Sequence, residues 1–267
     1  MRKSILFLIL FILALGFFYC KKDTVDNSFK IGLVTQVVNS GIVQNTIDYN
    51  ALNRPVKMTK YTVTGYPDGY FTYDYGDDTL IDRIQFCNQQ KVLINYTTYL
   101  YDTTKRLLTK KYYNIQSGNS ILSHSEAFSY NIKSQLINFS DFDSVGNVRY
   151  YTMQLYDTLD DPSEVKYYKS DNTYVGSLYF TYDDKPNVFA KYYKSLGLSH
   201  PNIKHNITKI TSSLTPAGGK VTLNLGTVSF VISLYSSSYE YDINKLPTKE
   251  IIVYLDGNQV TETFGYK

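Results

Sequence analysis

Apolar and polar residues alternate with a period of two over most of this 267-residue chain. The clearest run lies at 174–182. Tyr174, Gly176, Leu178, Phe180 and Tyr182 fall on one face there, and Val175, Ser177, Tyr179 and Thr181 on the other. Side chains two apart share one face of a strand, so this pattern predicts a β-strand. Thr248 to Leu255 is a second such run, rich in Ile, Val and Tyr, which suit a pleated, half-buried surface. No comparable window carries the 3.6-residue period of an amphipathic helix. The one expected helical turn is Val188 to Leu198, after Pro186.

The runs are cut at near-regular intervals by Tyr-Asp or Tyr-Asn pairs. These stand at Tyr49-Asn50, Tyr73-Asp74, Tyr101-Asp102, Tyr130-Asn131, Tyr156-Asp157, Tyr182-Asp183 and Tyr241-Asp242, in steps of 24, 28, 29, 26, 26 and 59 residues. A fixed period marks one supersecondary unit used many times. Five pairs have an aromatic residue two positions before the tyrosine, at Phe71, Tyr99, Phe128, Phe180 and Tyr239. The Asp or Asn then ends the strand, because its side chain can accept from nearby backbone and start a turn. A Leu or Pro follows, at Pro55, Leu80, Leu107, Leu136, Pro162, Pro186 and Leu246, and reopens the chain into the next strand. A second turn signal recurs further on, at Pro67-Asp68-Gly69, Asn88, Gly118-Asn119, Gly146-Asn147, Asp171-Asn172 and Gly257-Asn258. Such residues tolerate the positive φ of tight hairpins.

Each period therefore holds two turns and two strands. The 59-residue step holds an insertion and a degenerate eighth unit, around Ile203 to Phe230, with its turn at Pro216-Ala217-Gly218-Gly219. Neighbouring strands joined by tight turns are antiparallel. The expected fold is all-β: an antiparallel up-and-down meander of about 14–16 strands built from two-stranded repeats, too large to stay flat and so a closed barrel or a curled open roll.

The N-terminus has a different character. Arg2 and Lys3 precede an apolar run from Ser4 to Tyr19, and Cys20 follows directly. A charged start and a short apolar stretch read as a secretory signal. A cysteine placed there resembles the processing site of bacterial lipoproteins, although Tyr19 stands where such sites prefer a small residue. The expected organisation is a lipoprotein signal peptide at 1–19, an anchor linker at 20–30 and a single β-repeat domain at 31–267, with Cys20 as the lipidated residue. Removing 1–19 lowers the net charge from +3 to +1, with 25 Lys and Arg against 24 Asp and Glu. A near-neutral chain offers no electrostatic case for nucleic acid. Cys87 is then the one remaining thiol. It reads as a small, semi-buried strand residue.

Candidate chemistry is sparse. His200 and His205 are five apart in a loop-like stretch, without the helical His-Glu-x-x-His spacing of zinc hydrolases. His124 reads as a surface or cross-strand residue. Asp77-Asp78, Asp160-Asp161 and Asp183-Asp184 fall in expected turns, where Asp is at home. The strand residues Glu126, Glu164, Glu240, Glu250 and Glu262 could line an interior, with no pairing between them evident from sequence. The run Asp141-Phe142-Asp143-Ser144-Val145-Gly146-Asn147 faintly resembles a calcium loop but lacks its third oxygen ligand and terminal Glu, and reads as a hairpin turn. No catalytic residue, metal site or cofactor is expected, and any ligand-binding residue is unknown.

Repeated Tyr-x-Tyr-Asp, a following Leu or Pro, and then Gly-Asn resemble the Tyr-Asp (YD) repeats of RHS-type secreted proteins. Tyr182-Asp183-Asp184-Lys185-Pro186-Asn187-Val188-Phe189 and Asn206-Ile207-Thr208-Lys209-Ile210 resemble a family of uncharacterised Gram-negative lipoproteins with a porin-like, many-stranded sheet, over about residues 30–267. That resemblance implies no catalytic residues. The expected protein is a lipid-anchored, non-enzymatic β-repeat protein of the cell envelope. It would be tethered to the outer membrane through lipid on Cys20, facing the periplasm or the surface, and would act as a binding or scaffolding module for an envelope protein or glycan. The alternatives are an integral outer-membrane β-barrel and a secreted glycan-binding or glycan-acting protein. The place to look for function is where the repeat is broken, at 183–230.

Overall fold

A computed structural model describes residues 34–39, 42–76, 80–187, 203–243, 245 and 247–266. The signal segment with Cys20, the Asp77-Asp78 pair, His200 and the stretch read as a helical turn lie outside the described residues. Within them every regular element is a strand. In chain order these are β1 (Val34–Asn39), β2 (Ile42–Tyr49), β3 (Pro55–Tyr61), β4 (Pro67–Tyr75), β5 (Ile81–Asn88), β6 (Leu93–Tyr101), β7 (Leu107–Gln116), β8 (Asn119–Tyr130) and β9 (Leu136–Asp143). There follow β10 (Val148–Tyr156), β11 (Pro162–Lys169), β12 (Tyr174–Pro186), β13 (His205–Ser212), β14 (Lys220–Asn224), β15 (Ser229–Ser233), β16 (Tyr235–Tyr241), β17 (Pro247–Tyr254) and β18 (Gln259–Tyr266).

Sixteen strands form one antiparallel meander, sequential from β1 to β13 and continuing through β16, β17 and β18. The circuit closes into a barrel where β18 pairs with β1. It is thinnest at two joints. β13 and β16 pair only through Lys209–Ser236 and Ile210–Tyr235, and β1 shifts register against both of its neighbours. β14 and β15 form a separate hairpin. The all-β antiparallel meander is the architecture expected from the sequence.

The Tyr-Asp repeat has a specific local geometry. Asn50 Oδ1 accepts the amides of Leu52 and Arg54, both at 3.0 Å. Asp102 does the same with Thr104 and Arg106, at 2.8 and 2.9 Å, and Asn131 and Asp157 repeat the arrangement. The main chain closes the same loop. The amide of the Asx residue donates to the carbonyl four residues on, and the amide three residues on donates back to the Asx carbonyl. The residue at that third position is forced left-handed: Asn53, Lys105, Ser134 and Asp160 have φ of 58, 65, 60 and 65°. A non-glycine residue there costs about 1–2 kcal/mol, which the amide bonds offset. The fifth position turns inward, and Leu107 and Leu136 are 1 % and 0 % exposed.

The tyrosine of each pair ties its unit to the one before. Its hydroxyl donates to the carbonyl of the inward-turning residue of the preceding unit: Tyr75 to Pro55 (2.8 Å), Tyr101 to Ile81 (2.9 Å), Tyr130 to Leu107 (2.9 Å), Tyr156 to Leu136 (2.9 Å) and Tyr182 to Pro162 (2.7 Å). This corrects the sequence reading of the second unit. The bonding tyrosine there is Tyr75, with Gly76 in the Asx place, while Tyr73 is the buried aromatic two residues before it. Asp74 instead accepts from Arg83 and Gln85. Counted through Tyr75 the steps become 26, 26, 29, 26 and 26. The inward residue is likewise Ile81 rather than Leu80; in the last unit Pro247 is fully buried, and Leu246 lies outside the described residues.

The two faces of the sheet differ sharply. Ile47, Tyr73, Tyr99, Phe128, Leu178 and Ile252 are all buried and project from the face that the barrel encloses. Register rows carry the other face through Lys57, Thr72, Gln85, Tyr96 and Tyr113. That face also bears Arg83, Lys111, Lys166, Lys209 and Lys249. Cys87 is a half-buried free thiol on β5, as expected. We predict that Tyr156→Phe, which deletes one inter-unit bond while keeping the ring, lowers unfolding free energy by about 1 kcal/mol in urea titration. Tyr179→Phe on the exposed face should leave the midpoint unchanged.

Candidate functional site at the interrupted rim

The loops that follow the pair tyrosines lie at one rim of the barrel, and that rim is interrupted between β12 and β13. Five chain segments meet there through side chains. Asp161, fully buried, accepts from the Lys204 amide through Oδ1 (2.5 Å) and meets His205 Nδ1 through Oδ2 (2.5 Å). Asp160 accepts from Lys204 Nζ (2.9 Å) and from Gln135 Nε2 (2.9 Å). The Lys204 contact holds its carboxyl below the usual range. Asp183 binds the Asn206 amide at 3.2 Å and accepts the Tyr241 hydroxyl. Asn206 Nδ2 donates to Tyr241 Oη at 3.2 Å. Burial, with the Asp183 carboxylate beside it, pushes the Tyr241 hydroxyl up.

At the break, then, carboxylates replace the carbonyl-to-tyrosine bonds of the regular rim. Of the sequence candidates, Asp160, Asp161, Asp183 and His205 come together here. The Asp184 carboxyl is exposed and pairs with Lys185. A His held by a buried Asp is oriented as a general base would be. Among the described residues, however, no hydroxyl or thiol hydrogen-bonds the His205 ring. Its described bond is the one that anchors β13 to the β10–β11 loop.

Beyond β13 the chain leaves the sheet. Pro216-Ala217-Gly218-Gly219 does form a tight turn, with Gly218 and Gly219 at φ 53 and 72°. It leads into the hairpin rather than joining its strands, which is a correction. The turn between β14 and β15 is at 225–228, closed by the Leu225 amide on the Val228 carbonyl (2.8 Å). The hairpin lays one face on the enclosed side of the sheet: Leu223, Leu225 and Phe230 pack with Tyr150, Phe139 and Tyr167. Lys220, Thr222 and Asn224 on its other face remain exposed. Its entry is fixed by Leu214 over Gly176, where an added Cβ would lie 2.9 Å from Leu214 Cγ. Its exit is fixed by Leu234, which donates to the Gly219 carbonyl (2.9 Å) and accepts from the Leu255 amide (3.0 Å).

The enclosed face also carries charge, including strand glutamates that the sequence reading allowed to line an interior, in pairings it did not see. One register row runs Tyr99, Lys110, Glu126, Asp141 and Tyr150 across β6 to β10. Glu126 and Asp141 are directly opposite, but each has a base: Lys110 at 3.1 Å from Glu126, and Arg149, which grips Asp141 with two nitrogens. Burial lifts the Asp141 carboxyl to about 6 against the pull of Arg149. His124 stacks on Tyr112 at 4.1 Å, a cross-strand residue as expected, and burial lowers it to about 4. Glu250 and Glu262 are likewise opposite one another and buried. Three of the five strand glutamates thus face inward and are paired across strands, contrary to the sequence reading. Glu164 and Glu240 lie on the other face, beside Lys166 and Lys249. Asp143 confirms the hairpin reading of the calcium-like run, because its Oδ1 accepts the Val145 and Asn147 amides (3.0 and 2.9 Å).

No family model and no curated protein matches this chain. Solved structures do. A porin-like protein from Bacteroides uniformis matches with TM-score 0.53 at 15% identity, over 84% of this chain and 90% of that one. A porin-like protein from Bacteroides vulgatus matches with TM-score 0.44 at 11% identity, over 87% and 98%. A chain of the TcdB2-TccC3 structure matches with TM-score 0.36 at 10% identity, over 84% of this chain and 13% of that one. The first of these establishes a porin-like β fold.

Two outcomes follow from the site. Leu223→Ala should cost about 2–5 kcal/mol in chemical denaturation by opening a cavity under the hairpin. His124, neutral in the fold at about 4 and near 6.5 when unfolded, contributes stability that is lost as pH falls from about 6.5 to 4. In thermal melts over that window, His124→Gln should show a shallower acid loss than the parent.

Proposed function

We propose that this chain is a lipid-anchored, non-enzymatic β-repeat protein of the cell envelope, tethered through Cys20 and working as a binding or scaffolding surface. The observation that carries this reading is the use to which the Tyr-Asp carboxylates are put. Asp102 and Asp157 spend Oδ1 on two amides of their own loops, so the repeated acids build the rim. The porin-like fold shared with a Bacteroides protein supports an envelope setting. The outward face supports an anchored rather than a membrane-spanning barrel. A strand crossing lipid needs an apolar outer band, and Lys57, Lys111 and Lys166 stand at mid-strand on that face.

Exposed aromatic ladders favour a glycan as the partner. Tyr151 and Tyr168 stack at 4.9 Å with their planes 5° apart, and Tyr174, 49 % exposed, meets Tyr168 edge-on. Tyrosine offers a flat apolar face with a polar tip, which suits stacking against sugars.

Metabolic labelling with a lipid analogue should mark the full chain and not its Cys20→Ala variant; an unlabelled parent would remove the anchor. Residues 21–267 should stay in solution without detergent, and a requirement for detergent would favour an integral barrel. On glycan arrays, signal lost in Tyr168→Ala would assign the ladder as the binding face.

A further inference from the structure

The acid pair Glu126–Asp141 carries one base per carboxyl. The pair Glu250–Glu262 has the same cross-strand placement, β17 against β18, and both its members are buried, at 3 % and 6 % exposure. Yet neither carboxyl forms an ion pair with any described residue. The groups around it are hydroxyl-bearing. Tyr235 and Tyr239 on β16 and Tyr254 on β17 are the titratable groups of these strands that face it, with Ser237 beside Glu250. On β1 the register partner of Glu262 is Asn39, which is uncharged. Two adjacent carboxylates without a counter-charge cannot both be ionised in such a setting.

Hydrogen-bond bookkeeping gives a second, geometric indication. Tyr239 Oη lies 2.9 Å from the Ile207 carbonyl and 2.9 Å from Glu250 Oε1. A tyrosine hydroxyl has one proton. One proton cannot serve both acceptors, and here it goes to the Ile207 carbonyl. The contact with Glu250 then needs a proton from the glutamate itself. Glu262 Oε2, buried and without a hydrogen-bond partner, is the other place where a proton is called for.

We propose that Glu250 and Glu262 form a protonation latch on the closing strands of the barrel, protonated in the closed state, and that ionising the pair loosens β17 and β18 from β16 and β1. Protonated Glu250 donates to Tyr239 Oη, and Tyr239 donates to the Ile207 carbonyl, so a chain of hydrogen bonds bridges β17, β16 and β13. That is where the sheet is already thin, since β13 and β16 share only two register pairs. Loss of the protons replaces this chain with two facing negative charges.

The direction of the pH effect follows. Burial raises Glu250 to about 7, and burial with the neighbouring Glu250 raises Glu262 to about 8. In the unfolded chain both lie near 4.3. Stability from the pair is therefore full below that value and is lost as pH rises through about 7 to 8. Hydrogen exchange of the full chain, corrected for intrinsic rate, tests this. Protection of β17 and β18 amides should fall by on the order of tenfold or more between pH 5.5 and 8.5, with β8 and β9 much less affected. Glu262→Gln should shrink that dependence, and adding Glu250→Gln should abolish it. Equal pH dependence in both regions, or an unchanged dependence in the variant, would overturn the latch. Should the variant fail to fold, infrared spectra of the parent decide the matter. A protonated-carboxyl band still present at pH 7.5, above the range of Asp141 at about 6, and lost by pH 9.5 supports the proposal, and absence of the band at pH 7.5 refutes it.

Discussion

Everything in this barrel depends on one side chain being used as if it were backbone. An Asp or Asn oxygen takes the amides two and four residues ahead. This holds the third residue left-handed and aims the fifth into the interior. In the units that carry Asp or Asn, the turn and the inward Leu or Pro follow from that bond pair, while the Gly76 unit closes its loop through backbone bonding and buries Ile81 in the same way. The tyrosine just before the Asx then has its hydroxyl placed over the previous unit's carbonyl, where the strand ladder stops and a buried C=O would otherwise lack a partner. Local turn chemistry and long-range assembly are thereby fixed by two adjacent residues.

That coupling explains how much was legible in the sequence. The Tyr-Asp period predicts the meander, the strand directions and the turn role of the acids, because the interactions responsible are local. It misplaces the second unit because Tyr73-Asp74-Tyr75-Gly76 offers two tyrosines, and only the hydroxyl contact of Tyr75 with Pro55 distinguishes them. Leu80 is displaced by Ile81 for a related reason: the fifth position is counted from the residue that closes the loop, whether that is Asp, Asn or Gly76.

The inward charges were legible only in part. Glu126, Glu250 and Glu262 are among the strand glutamates that could line an interior, but parity alone does not say which face is enclosed or what each carboxyl meets. Register does. Once β7 to β9 are aligned, Lys110, Glu126 and Asp141 fall in one row, and the same alignment brings Glu250 against Glu262. The hairpin of β14 and β15 is invisible for a third reason. Its strands look like any others, and what sets them apart is that β16 pairs with β13 and bypasses them. The expectation that the repeat break would be the distinctive region is nonetheless where the structure departs most from its own pattern, with His205, Asn206 and Tyr241 replacing the regular bonds.

The tyrosine bonds have a sense of direction. Each hydroxyl from Tyr75 to Tyr182 reaches a carbonyl that lies earlier in the chain, so each new unit finds its acceptor already made. A chain emerging N-terminus first, from a ribosome or through a translocation channel, can therefore lock its units one at a time without waiting for residues still to come. Only the last step, joining β18 to β1, requires the whole molecule. The tyrosine bonds thus run one way along the chain up to a single ring-closing contact, and the array carries an arrow that its near-symmetric appearance conceals.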